Sequence, residues 1–327
     1  MKNKVIGIDV GGTNLRAALI NENGSIIKRL TVPSGADKGI ELVVENLGNL
    51  IEEIKEGENV DGVGIGIPGI IDTAKGMITQ APNILHVHNY PLRDVLMEKI
   101  GKDTPLFVEN DANCGALGEL WKGVGEDVNS LVLLTIGTGL GGGIILDGKL
   151  WRGADGMAGE VGHMTISIDG AKCNCGNTGC LETFASAIGI RRMVKEGLEA
   201  DGESLETTLR ERGRNAPKER LPEIVREAAI EGDKFALWIW EEFGKALGIA
   251  VANLVNLLNV EMIVISGGLS NAWELFIDKL VDEAKKRGLR APIDRVQIMK
   301  SLLSDDAGLL GAAYLVILDD RQDYIYP

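Results

Sequence analysis

The sequence has no surplus of positive charge: 34 Lys and Arg stand against 48 Asp and Glu, leaving −14. Polymer nucleic acid and anionic membrane surfaces are gripped mainly through Lys and Arg, so broad contact with either is excluded. No run of 18 or more apolar residues exists, which excludes a conventional transmembrane helix. Histidine (3) and proline (9) are scarce. With so little proline and no low-complexity stretch, a tethering linker is not expected, and domains should be joined by continuous chain. No Gly-Lys-Ser/Thr triple occurs, so a Walker phosphate loop is out, and the kinase triad His-Arg-Asp is missing too. Asp9 arrives before a secretory apolar region could form, which sets the expectation of a cytoplasmic chain with reduced thiols.

What is present is ordinary globular composition, 45% hydrophobic and 25% charged over 327 residues, a length that suggests two domains. Val5–Ile8, Leu15–Ile20, Ser25–Val32, Val60–Pro68 and Leu106–Val108 read as strands. From Ile40 the apolar residues Val43, Val44, Leu47, Leu50, Ile51 and Ile54 recur at helical spacing. Lys234–Leu258 predicts a largely buried helix, Val260–Ser266 and Val296–Leu303 late strands, and Asp305–Leu318 a last helix. Strands mixed with crossover helices indicate an α/β class.

The chain also resembles itself. Val5–Asn14 runs as strand, glycine turn and strand, closed at Asn23-Gly24. Leu131–Gly148 repeats the pattern, with Asp9 matching Thr135 and Gly11 matching Gly137. Two such hairpins suggest a duplicated domain with halves facing a cleft. Gly137–Gly142 and Gly64–Gly69 both fit G-x-G-x-x-G, but neither is followed by the helix a dinucleotide site requires. The alternative is a paired-hairpin phosphate site. Its glycine turns, Gly11-Gly12-Thr13 and Gly137-Thr138-Gly139, expose backbone N–H groups to an anion. Asp9 is placed to reach Mg²⁺, directly or through water.

Cys173, Cys175 and Cys180 fall within eight residues, and His163 lies ten residues upstream. Three thiols and an imidazole complete a tetrahedral Zn²⁺ set with no open position, so the predicted site is structural. Cys114 has no partner nearby and reads as a small apolar helix residue. Asp111, Glu160 and Glu182 flank these landmarks as carboxylates able to accept hydrogen bonds from hydroxyls.

Together Asp9–Thr13, Glu109-Asn110-Asp111-Ala112-Asn113, Gly137–Gly143, Glu160-Val161-Gly162-His163 and Cys173-x-Cys175-Gly176-x-x-Gly179-Cys180-Leu181-Glu182 resemble the ROK family (repressors, open reading frames, kinases). The fit is closest to its bacterial glucokinases. The resemblance implies an actin-like, hexokinase-like (ribonuclease H-like) two-domain fold closing over ATP and a hexose. It implies a discontinuous first domain of residues 1–118 plus 304–327, and a second of 119–303 bearing the zinc loop. By the same resemblance Asp111 is the general base for phosphorylation of the sugar 6-hydroxyl. Gly69, Asn110, Asp111, Glu160, His163 and Glu182 contact the sugar, His163 also serving zinc. Asp9 takes the Mg²⁺ position, Gly11–Thr13 and Gly137–Gly139 the phosphates, and Gly267-Gly268 the nucleoside. A homodimer is implied as well. The preferred sugar stays open among glucose, fructose, mannose, allose and N-acetylmannosamine, and the donor among ATP, ADP and polyphosphate. His86 and His88 are read as exposed loop residues. A sugar-responsive repressor from the same family is disfavoured by the eight residues preceding Asp9 and by the charge.

Overall fold

The computed structural model describes residues 4–81, 84–85, 87–200, 205–214 and 216–319. The chain forms two compact units. Unit 1 comprises residues 1–133, 143–159 and 301–327, and unit 2 residues 134–142 and 160–300.

Unit 1 opens with β1 (Lys4–Val10), β2 (Asn14–Asn21) and β3 (Ile26–Pro33), followed by α1 (Ile40–Lys55) and β4 (Val63–Ile67). Three short strands, β5 (Ile70–Asp72), β6 (Met77–Gln80) and β7 (His88–Tyr90), form a small sheet of their own. Then come α2 (Leu92–Ile100), β8 (Leu106–Asn110) and α3 (Asp111–Lys122). The main sheet has the order β3-β2-β1-β4-β8. β1 pairs antiparallel with β2 (Ile6 opposite Leu19) and parallel with β4 (Gly7 opposite Gly64), and β4 runs parallel to β8. Both faces of β1 are covered, which is why it reads as a near-continuous apolar run. Ile6, Ile8 and Val10 pack with Val43, Leu47, Leu50 and Ile51 of α1. Edge strand β3 alternates half-buried and exposed residues instead.

Next follow β9 (Leu131–Ile136), β10 (Leu140–Leu146) and β11 (Lys149–Leu150), and the chain passes between the units within β9 and β10. Unit 2 continues with α4 (Ala187–Ala200), α5 (Leu209–Arg212), α6 (Leu221–Ile230) and α7 (Lys234–Leu258). It ends with β12 (Met262–Ser266), α8 (Trp273–Arg287), α9 (Arg290–Arg295) and β13 (Gln297–Lys300). The second five-stranded sheet is ordered β11-β10-β9-β12-β13, with β12 and β13 parallel. It is the first sheet's order again, strand for strand, so the repeat seen in the sequence is a repeated topology.

Helix α7 matches its predicted span because apolar residues surround it and Asp233 caps it, accepting from Phe235 N and Ala236 N at 3.1 Å each. Its Trp240 and Phe243 stack into the unit 2 core with Phe276 of α8, at centroid separations of 5.0 to 6.2 Å. Helix α10 (Asp306–Asp319) returns to unit 1 and packs with Val5, Ala18 and Ile20. Its approach is unusually close. A Cβ on Gly311 would lie 1.6 Å from the Cys114 carbonyl, and one on Gly64 1.8 Å from the Ala312 carbonyl. Through Cys114 this packing fixes α3, the helix that begins with Asp111. The helix runs past residue 118, and buried Glu119 on it accepts a hydrogen bond from Ser301 Oγ. Among the described residues no helix is long and apolar enough to cross a membrane.

Candidate active site

Unit 1 supplies two groups of the expected residues. Asp9 lies near the end of β1, before the Gly11–Thr13 turn. Gly11 N donates to Asn14 O at 2.9 Å, and Ser34 braces the turn from both sides, its N to Thr13 O and its Oγ to Gly12 O, each at 2.8 Å. A Cβ on Gly12 would meet nothing within 4 Å, so the turn's outer surface is open. Arg16 Nη2 lies 3.3 Å from the Asp9 carboxylate, while Nη1 lies 3.0 Å from Asp305. Burial pushes the Asp9 carboxyl above the usual carboxylate range; Arg16 opposes the rise and Asp305 adds to it.

The second group stands where β8 becomes α3. Asn110 caps the helix, its Oδ1 accepting from Ala112 N (2.9 Å) and Asn113 N (3.1 Å). Its Nδ2 donates to Gly69 O at 3.1 Å. One Nδ2 hydrogen is left for a ligand, so Asn110 is mainly a brace and only in part an outward contact. Asp111 occupies the first helical turn, where the helix dipole favours a carboxylate, and its Oδ1 accepts from Ala112 N at 2.9 Å. Behind them Glu109 is 2% exposed and holds Arg152 Nε at 2.6 Å. Cys114 is fully buried nearby. Burial drives its thiol well above its ordinary range, Glu109, Asp111 and Asp9 adding to the effect, so it is an inert core residue.

Unit 2 supplies the remainder. In the Gly137–Gly139 turn, Gly137 N donates to Gly139 O at 2.9 Å, and the start of α4 docks on it through Ala187 N to Gly137 O at 3.0 Å. Glu182 Oε2 accepts from Leu140 N at 3.0 Å, and a Cβ on Gly139 would sit 2.3 Å from that same oxygen. A cavity of about 370 Å³ opens beside Gly137, Thr138 and Gly268, walled by Arg191, Glu223, Arg226 and Trp240. The Trp240 indole Nε1 is buried with no hydrogen-bond partner, an expensive state for a donor.

The Cys173 loop gathers its thiols around His163. All four ligand atoms lie within 4.8 Å of one another. Cys175 Sγ is 3.7 Å from Cys180 Sγ, and Cys173 Sγ is 3.7 Å from His163 Nδ1. Zinc–sulfur bonds of about 2.3 Å at tetrahedral angles give edges of about 3.8 Å, close to both 3.7 Å separations, so the donor set suits zinc. Burial pushes the Cys180 thiol up to about 12, with Cys175 and Cys173 adding to the rise. A bound dication would hold these sulfurs as thiolates. His163 presents Nδ1 to the cluster, and its Nε2 lies 3.9 Å from Glu160. The far edge of the imidazole thus stands near a carboxylate.

The expected residues thus form local groups: Asp9 with Gly11–Thr13, and Gly69 with Asn110 and Asp111, in unit 1; Gly137–Gly139 with Glu182, Glu160 with the zinc cluster, and Gly267-Gly268 at the cavity end of β12, in unit 2. His86 lies outside the described residues. His88 is exposed on β7, its ring facing Asn89 Nδ2 at 3.2 Å, and lies on a strand where a loop was expected. The sequence reading missed Arg152 and the walls of the cavity. Glu109 was visible only as part of a motif.

The ROK family model matches residues 5–318. A glucokinase of Thermotoga maritima is 38% identical over 96% of this chain and 98% of its own length. A xylose repressor of Caldicellulosiruptor bescii is 39% identical over 96% of this chain and 78% of its own. The crystal structure of a ROK family glucokinase from Streptomyces griseus in complex with glucose and AMPPNP superposes with a TM-score of 0.80 at 33% identity, covering 96% of this chain and 99% of that one. The two like-ordered sheets are the actin-like, hexokinase-like α/β fold of the ROK sugar kinases. By its motifs, its fold and this full-length similarity, the chain belongs to the ROK family.

Proposed function

We propose that this protein is a glucokinase, transferring the γ-phosphoryl group of ATP to the 6-hydroxyl of glucose. The observation that carries the reading is Asp111, a carboxylate at the head of a capped helix, braced through Asn110 to the Gly69 carbonyl. It takes the proton from O6 as that oxygen attacks the γ-phosphorus in line. The bond from phosphorus to the bridging oxygen breaks, and ADP leaves with the electron pair. Phosphoryl transfer needs positioning and charge neutralisation more than covalent chemistry. Asn110, Glu160, His163 and Glu182 orient the sugar, and backbone amides of Gly11–Thr13 and Gly137–Gly139 meet the phosphates. The cavity beside Gly268 suits the nucleoside end of ATP. Asp9 suits Mg²⁺ carried on the donor phosphates, where the ion neutralises charge that develops during transfer. Zinc on His163, Cys173, Cys175 and Cys180 would leave no open position and would tie the Glu160–His163 and Glu182 segments together. A homodimeric, cytoplasmic enzyme is part of the same proposal and draws on the family resemblance alone.

The test is a panel of hexoses with ATP and Mg²⁺, coupled to ADP release, with polyphosphate as an alternative donor. Glucose with ATP should give the highest turnover. Strong turnover of fructose or N-acetylmannosamine with none of glucose overturns the substrate assignment. The similarity to a xylose repressor supports a second reading, a sugar-responsive regulator, and absence of turnover across the whole panel would favour it.

A further inference from the structure

One ion pair in unit 1, a buried glutamate with a half-buried arginine, has no part in the chemistry above. Glu109 immediately precedes Asn110 and Asp111, and all its bonds turn inward. Oε1 accepts from Asn110 N at 2.9 Å and from Asn113 Nδ2 at 3.0 Å, while Oε2 accepts from Arg152 Nε at 2.6 Å. Arg152 comes from the segment after β11, and its carbonyl accepts from Ala158 N at 3.0 Å, closing that segment on itself.

Stability is a weak explanation for such a pair. Glu109 loses its hydration and Arg152, its side chain 23% exposed, loses most of its own, and apolar replacements of such a desolvated pair are often as stable or more so. Asn113 adds a further cost: its Nδ2 serves Glu109, yet its buried Oδ1 has no partner. What the network does accomplish is geometric. It fixes the backbone immediately before Asp111 and the side chain two residues after it, while Asn110 fixes the cap between. Arg152 also supplies the charge without which Glu109 would be a lone buried anion two residues from the proposed base.

We infer that Glu109 and Arg152 are positioning residues, a clamp that holds the Asn110–Asp111 corner in its working geometry. The inference depends on the reading of Asp111 as general base, so Asp111→Asn is measured in parallel. The variants are Arg152→Met, Arg152→Lys and the neutral pair Glu109→Gln with Arg152→Met. Each kcat is corrected for active fraction by calorimetric glucose-binding stoichiometry. Arg152→Met should lower kcat by about 30- to 100-fold, the order expected when a reacting group is displaced by an ångström, while the glucose Kd stays within about threefold. The neutral pair should recover about tenfold of that loss, because glutamine needs no counter-ion. If Arg152→Met does not fold, Arg152→Lys decides, since it keeps the charge without the Nε donor: a tenfold lower kcat supports the clamp and a parental kcat overturns it. A parental kcat in Arg152→Met, or no recovery in the neutral pair, also overturns it. An active Asp111→Asn would instead remove the base assignment on which the clamp depends.

Discussion

Gly139→Ala is the sharpest single-atom perturbation the site offers. The added methyl would lie 2.3 Å from Glu182 Oε2, more than an ångström inside ordinary contact distance. The carboxylate must swing away, and in doing so it leaves Leu140 N, which it now holds at 3.0 Å. A hydrogen bond to a charged group contributes about 1.5–3 kcal/mol. For a protein of this size that corresponds to a fall in Tm of about 2–4 °C. The same bond joins the Gly137–Gly139 turn to the segment that follows Cys180, so KM should rise for both ATP and glucose. Gly137→Ala is the control on the same turn: its Cβ would meet nothing within 4 Å, so Tm should hold and only the ATP KM should rise. Calorimetric unfolding and initial-rate kinetics separate the two. A double-mutant cycle adds a stricter check, because in a Glu182→Ala background Gly139→Ala should cost almost nothing further. Gly139→Ala with parental Tm and parental KM values would refute the reasoning.

Two more predictions concern the metal and a buried acid. Freshly purified protein should contain one zinc per chain, and Cys180→Ser or strong chelation should lower Tm by about 10 °C or more, since metal binding energy here is folding energy; zinc-free protein with parental Tm contradicts the structural site. Burial holds the Glu119 carboxyl above its ordinary 4.5, with bonds from Ser301 and Val124 working against the rise. The folded state therefore binds this proton more tightly than the unfolded one, and the contribution is lost as pH rises through the raised value. Unfolding followed from pH 4 to 7 should show Glu119→Gln with a smaller loss of stability toward neutrality than the parent, and parallel curves would reject the assignment.

What the sequence disclosed follows how locally each signal is written. The clustering of His163 with Cys173, Cys175 and Cys180 was legible because three of them share one eight-residue loop and chemistry restricts what three thiols and an imidazole can do. Helix α7 was legible because its apolar run is long and Asp233 marks its start. The repeated hairpins announced two sheets of one order, since a glycine turn between apolar strands is a local pattern. Asn110 was half legible. It was read as a sugar contact, although an Asn directly before a helix start is also a cap signal, and the cap takes most of its hydrogen-bonding capacity. Arg152 was illegible: it meets Glu109 across 43 positions, and no motif links them. The cavity beside Gly268 was hidden for the same reason, its walls coming from α4, α6 and α7, each of which reads alone as an ordinary amphipathic or buried helix.

The central claim is that Asp111 removes the proton from the sugar hydroxyl during phosphoryl transfer. The direct measurement is kcat of Asp111→Asn at saturating glucose and ATP with Mg²⁺, beside calorimetric glucose binding on the same protein. The amide keeps the size and the contact with Ala112 N but cannot take the proton. A positioned general base contributes about 10²–10⁴-fold, so kcat should fall by that factor while the glucose Kd stays within about threefold. A near-parental kcat would contradict the claim.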